Sequence, residues 1–281
     1  MIKLNFYVRK QSGMSREEFQ SRWRDGHGAL WARHAEALGV RRYTQVYDDP
    51  EHSVAQALKQ GYQVVGAAYD GLSVACWSEL AVLEEALKTE EGAAAWHAIL
   101  EDEKEFIDHG LSMLSFGTDH PVLNPRGKLY ADEESDMVRG AYFPKGLPGI
   151  ELTELHRHWI AIHGGLTHDL STYSPNIRYF QIHSVENAVA TDMRAARGML
   201  PSERYFGHAE VWISQAEMDK ASENPIRQEL FPLFVADIEA FCDMDTGYFI
   251  IGKEKHFVDM PIYTLPLPQP QFTVAQEKTG T

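Results

Sequence analysis

From Lys3 to Arg9 the chain alternates Leu4, Phe6 and Val8 with Asn5, Tyr7 and Arg9, the period of a half-buried strand. Ser15 followed by Glu18 makes a capping box, and the helix it opens is predicted to run to about Gly28. Val40–Tyr47 and Leu72–Trp77 read as the next strands; helices are predicted over 78–88 and 92–108, and a strand over 111–116. The order then returns as strand 137–143, helix 152–163, strands 177–183 and 205–213, helices 214–222 and 225–243, and strand 246–252. Segment 48–63 reads as a loop insertion over one edge.

The two series share residues as well as elements. Phe19, Trp23, His27, Gly28 and Leu30 recur as Leu155, Trp159, His163, Gly164 and Leu166, at a constant offset of 136. The same offset carries Arg42, Tyr43 and Gln45 onto Arg178, Tyr179 and Gln181. With one residue removed, Trp77 falls on Trp212, Phe106 on Phe241, Asp108 on Asp243 and Gly117 on Gly252. We read two copies of a βαββαβ unit, an α+β fold of the ferredoxin-like kind, with helices on one face of an antiparallel sheet. The other face needs cover, so the two sheets are expected to pack face to face as one closed, fused pseudo-dimeric α+β barrel. The expected division is 1–123 for the first repeat, 124–136 for a linker, 137–257 for the second repeat and 258–281 for an extended Pro-rich tail.

With 44% hydrophobic residues, the 281-residue chain has material for a real core. Its formal charge of −15 repels phosphate backbones and anionic lipid, so neither nucleic acid nor membrane is an expected partner. Cys76 and Cys242, one per half and both in apolar stretches, suit a reducing cytoplasm better than a disulfide framework. No opening apolar run marks a signal peptide, and no Gly-rich phosphate loop, Gly-x-Ser-x-Gly elbow or Cys-x-x-Cys pair occurs.

The helix with Phe19-x3-Trp23-x3-His27, followed by a strand with Arg42 and Tyr43, resembles the EthD-like branch of the dimeric α+β barrel superfamily. Leu155-x3-Trp159-x3-His163 with Arg178 and Tyr179 repeats the likeness. The resemblance implies a barrel completed by two units, here fused, and a chain acting as a monomeric pseudo-dimer or a homodimer. It also implies chemistry drawn from cofactor-independent monooxygenases, cyclases, muconolactone-type isomerases and heme enzymes, on a small aromatic-derived, lactone or unsaturated oxo-acid metabolite of a catabolic pathway.

His27 and His163 each follow a Trp by one helical turn and precede a Gly, so the helix is expected to end there with the imidazole at a pocket rim, as proton shuttle or as helix cap. His208 and Glu210 share a strand face, where a carboxylate beside an imidazole serves a general base or forms a barrel-lining salt bridge. His183 joins them as a further acid/base candidate, and His183, His208 and Glu210 would be the best metal set if neighbouring strands bring them together. His156, His158, His163 and His168 crowd one helix, but spacings of two, five and five give no i, i+4 pair, and only His156 and His163, seven apart, align on one face. Tyr7, Tyr43, Gln45, Tyr179 and Gln181 are candidates to hold substrate oxygens, and Trp23 and Trp159 to shape the pocket or build core. The expectation is acid/base catalysis of isomerase, lyase or hydratase type on a small molecule, with neither cofactor nor bound metal. Metal-assisted hydrolysis, cofactor-free oxygenation and a non-catalytic binding barrel are the alternatives.

Overall fold

The computed structural model describes residues 1–62, 69–125, 129–199 and 205–260. Eight strands follow the alternation of the sequence: β1 (Ile2–Val8), β2 (Arg42–Asp48), β3 (Gly71–Trp77), β4 (Met113–Leu123), β5 (Met137–Gly146), β6 (Asn176–Ser184), β7 (Gly207–Ser214) and β8 (Cys242–Asp259). They close into one antiparallel barrel in the order β1-β3-β2-β8-β5-β7-β6-β4. The first half supplies four adjacent strands and the second half the other four; the seams between them are β2 with β8 and β4 with β6. Among the described strands, closure leaves no free sheet edge.

Alternation sorts the side chains. In β1, Leu4, Phe6 and Val8 pack outward with Trp23, Trp31 and Phe106, whereas Tyr7 joins an inner cluster with Val46, Leu72, Phe143 and Ile250. That inner cluster fills one end of the lumen. Helices cover the outer face: α1 (Arg16–Ser21) and α2 (Gly28–His34), α4 (Leu80–Lys88) and α5 (Glu90–Glu103) in the first half, with α3 (Ser53–Tyr62) between β2 and β3. The second half has α6 (Leu152–His158) and α7 (Gly164–Ser171), then α8 (Ala188–Ala195), α9 (Gln215–Glu223) and α10 (Pro225–Phe241).

Several expectations are corrected. The helix opened by Ser15 continues beyond Gly28: a π turn over Arg22–His27 joins α1 to α2, and a second over Trp159–His163 joins α6 to α7. Gly28 is helical, and a Cβ there would lie 2.2 Å from the Phe257 ring, so it serves close packing against β8 rather than helix termination. Within 48–63 the chain forms α3, because Val54, Ala55 and Leu58 make a short apolar stripe that buries against the second half. Its counterpart α8, capped by the Asn187 side chain on Ala190 N, sends Ala190 and Met193 into the core of the first half. Each half thus lays one helix over the other. The proposed tail from 258 begins inside β8, and its 261–281 portion lies outside the described residues.

The strand register moves the one-residue gap. Leu4 pairs with Ala75, and its counterpart Gly140 pairs with Val211, so the offset is still 136 at the third strand. Trp77 therefore corresponds to Ile213, and Trp212 to Cys76. Trp77 faces the helices, donating its indole N–H to Leu38 O at 2.7 Å, and Trp212 faces the lumen, donating to Glu254 at 2.8 Å. The offset is 135 by the last strand, where Leu4 pairs with Phe116 and Gly140 with Ile251.

Candidate active site

The predicted site residues separate into three places. Trp23, His27, Tyr43 and Gln45 lie between helices and sheet in the first half; Trp159, His163, Tyr179, Gln181 and His183 lie in the matching cleft of the second. Tyr7, His208 and Glu210 meet inside the barrel. His183 and His208 are on opposite faces of the sheet, so the set of two His and one carboxylate does not form. Instead His183 stacks on Trp159, and its ring centre lies 4.1 and 4.4 Å from those of His120 and His156. Burial among these rings pushes His183 down to about 3, well into the neutral form at ordinary pH. Among the described residues no group of three or more His, Cys, Asp or Glu is placed to hold a metal ion.

Gln45 and Gln181 do the same structural work. Each amide donates to the carbonyl of the Trp that begins the π turn, at 3.0 Å to Trp23 O and 2.8 Å to Trp159 O. Those carbonyls also accept from the backbone of Gly28 and Gly164, so the wide turn is held from two sides. The turn brings residues five apart to one point. In the second half His158 Nε2 and His163 Nδ1 each lie 2.8 Å from one oxygen of Asp237, despite a spacing that an α-helix would place on different faces. In the first half Arg22 and His27 share Asp102 in the same way. Asp102 and Asp237 belong to no sequence motif, yet they stand at the offset of 135 that relates Phe106 to Phe241.

The two His–Asp pairs end differently. In the first half the indole N–H of Trp31 donates to His27 Nε2 at 2.9 Å, and the indole stacks on Tyr43 with centroids 4.5 Å apart. At the corresponding position the second half has Thr167, whose hydroxyl turns back to His163 O at 2.8 Å. What Trp31 fills is therefore open: a cleft of about 70 Å³ lined by His163, Thr167 and Tyr179 among apolar side chains that include Trp159, Phe234 and Phe249. Leu58 of α3 also lines it. At roughly 30 Å³ of liquid volume per water, the space holds about two waters.

Electrostatics suit His163 to accept a proton. Burial lowers its affinity for protons and the Asp237 contact restores only part, so the imidazole is neutral at pH 7. Burial would raise the Asp237 carboxyl, but hydrogen bonds from His163 and His158 more than offset it and keep it ionised. With Nδ1–H donated to Asp237, the tautomer leaves Nε2 as the acceptor for the cleft. Burial also holds the Tyr179 phenol protonated, a hydrogen-bond donor in the same space.

Inside the barrel, Tyr7 OH lies 2.7 Å from His208 Nδ1, and His208 Nε2 lies 3.1 Å from Glu210 Oε1. Glu210 is also bound by Lys3 at 3.0 Å and Arg139 at 2.8 Å. Burial opposes its charge, but Arg139 and Lys3 hold it well below the usual carboxylate range. The strand reading placed His208 beside Glu210; the two cations that occupy the carboxylate come from the first strand of each half, at an offset of 136.

Residues 11–110 match the sequence model of the EthD domain. No curated protein matches the chain. Among solved structures, the barrel is similar to an anthrone oxidase-like protein, at 12% identity and TM-score 0.50, covering 95% of this chain and 96% of that one. It is also similar to a proposed monooxygenase from Fusobacterium nucleatum, at 5% identity and TM-score 0.50, covering 91% and 92% of the two chains. At these identities the likeness is one of fold, and it spans the whole eight-stranded barrel.

Proposed function

We propose that this protein is an acid/base enzyme whose second half takes a proton from a small, planar, largely apolar substrate, with His163 as the base. The observation that carries the reading is the His163–Asp237 pair opening on an apolar cleft that Trp31 fills in the first half. His163 Nε2 accepts a proton from a C–H beside a carbonyl, the imidazolium is stabilised by Asp237, and the Tyr179 hydroxyl donates to the developing enolate oxygen. Return of the proton to a different carbon completes an isomerisation; departure of a leaving group completes an elimination.

A second outcome is favoured by the carbon-rich lining, which shelters an enolate from water and admits dioxygen. With an anthrone, the reactive CH₂ and one O₂ would give a C=O and one water. An anthrone therefore serves as probe for both fates. The test is deuterium wash-in at the CH₂ of 1,8-dihydroxyanthrone in D₂O under argon, then oxygen uptake in air. His163→Gln should slow enzyme-dependent exchange by about 10²-fold or more with the fold intact. Exchange by the variant at the wild-type rate would refute the reading. Oxygen consumed one-for-one would assign the oxygenase outcome; exchange without uptake would assign the isomerase type.

The architecture is part of the proposal. We read residues 1–123 and 137–257 as two ferredoxin-like copies of one unit, joined by the 124–136 linker into a fused pseudo-dimer. The matching strand orders, paired π turns and paired His–Asp contacts support it. No described helix is long and apolar enough to cross a membrane.

A further inference from the structure

The lumen is filled by aromatic and aliphatic side chains at the Tyr7 end, but above Glu210 it opens into a cavity of about 610 Å³ with walls from all eight strands. That volume lies within the range of small-molecule sites, roughly 300–1,000 Å³. Its floor is a closed charge network: Lys3 and Arg139 on Glu210, and Arg139 also on Glu254 at 2.9 Å. Two cations thus match two carboxylates there.

The mouth is different. Arg42 and Arg178 correspond between the halves and stand on β2 and β6, four strands apart in either direction around the barrel. Both line the cavity, so their guanidinium groups face one space from opposite walls. Arg42 is paired with Asp259 at 3.2 Å; Arg178 donates to Leu129 O and lies over Trp212, 5.2 Å from the ring centre. The other mouth carboxylate, Asp119, is held by the Met1 amino group at 3.2 Å. Burial lowers the Arg178 pKa; Glu254 opposes this, while Arg139 and Arg42 push it further down. Between mouth and floor the side walls are mostly apolar: Trp212 and Phe180 from the second half, Val74 and Cys76 from the first.

Among the described residues, Asn5 Oδ1 and Arg139 Nε are buried in the lumen without a hydrogen-bond partner, and Arg139 as a whole is 4% exposed. A buried donor left unpaired is costly unless a water or a ligand meets it.

We propose that the lumen is a second binding site, separate from the His163 cleft, which takes a small organic anion with an apolar body. Its carboxylate lies between Arg42 and Arg178, and its body descends between Trp212 and Val74. The carboxylate relieves the repulsion of the two guanidinium groups, and the ring or alkyl portion covers the apolar walls.

Titration calorimetry of the intact chain with benzoate, using benzyl alcohol as the neutral control, tests this. Benzoate should bind at one equivalent and more weakly as salt rises, and the alcohol should give no saturable heat. Arg42→Gln and Arg178→Gln should each weaken benzoate by about tenfold or more, Arg178→Lys by less, and Val74→Phe should abolish binding by filling the lumen. His163→Gln should leave benzoate affinity unchanged, which keeps this result independent of the catalytic proposal. Absence of saturable benzoate binding overturns the inference. So does an affinity untouched in folded Arg42→Gln and Val74→Phe, or one lost with His163→Gln.

Discussion

One side chain separates a packed core from a cleft. Trp31 and Thr167 occupy corresponding places beside equivalent His–Asp pairs, and the indole both caps His27 and stacks on Tyr43. Thr167→Trp should therefore copy the first half into the second. We expect loss of enzyme-dependent proton exchange together with a melting temperature equal to or above wild type, since a void is filled. Retained activity in a folded Thr167→Trp protein would show that the cleft is not where chemistry occurs. The sequence made His27 and His163 visible because they repeat beside Trp and Gly. Asp102 and Asp237 repeat as well, but Asp102 sits in an acidic run and Asp237 among apolar residues of α10, and neither reads as a histidine's partner until the fold brings them together. Nor could alternation alone say which face of a strand is inside; that is why His183 and His208 read as partners although the sheet divides them.

At the scale of elements, the strands were legible because period-two patterning survives in each, and the turns between them carry ordinary signals. The π turns were not. Their sequences, Arg22–His27 and Trp159–His163, look like continuous helix, and the Gln amides that help hold the wider turn come from a distant strand. The α3 helix was missed for a related reason: its apolar stripe is three residues long and packs on the second half, so nothing nearby in sequence announces its purpose. Leu58 of α3 lines the cleft, which makes the first half part of the entrance. Leu58→Ala should lower KM for bulky anthrones several-fold with little change in kcat, whereas Leu58→Trp should raise it. Steady-state kinetics across substrates of increasing size would reveal this split; equal KM values in both variants would place the entrance elsewhere.

For the whole molecule, the seams β2–β8 and β4–β6 are, among the described residues, the sheet contacts that join the halves. Cutting them exposes two long strand edges and the inner face of the sheet. Residues 1–123 alone should consequently self-associate or aggregate, as read by size-exclusion chromatography with light scattering. A soluble monomeric fragment would contradict the fused pseudo-dimer. The capping box, the strand alternation and the repeat offset together foretold a closed barrel. The lumen's ion network was half-visible, since Glu210 stands out beside His208 but Lys3 and Arg139 do not; no local pattern links it to Arg139 on the neighbouring β5 or to Lys3 three strands round on β1.

The open cleft beside His163 has a thermodynamic meaning of its own. At the roughly 24 cal/mol per Å³ of a dry cavity, the packing forgone over about 70 Å³ beside His163 costs at most about 1.7 kcal/mol, and less because the cleft is open to water. A barrel of two identical subunits would bear that cost twice, and every substitution that widened one chamber would widen its mate. Here heredity can act on the chambers separately. In this chain Trp31 packs one chamber and Thr167 leaves the other open, so a substitution beside Thr167 alters one chamber without altering its mate.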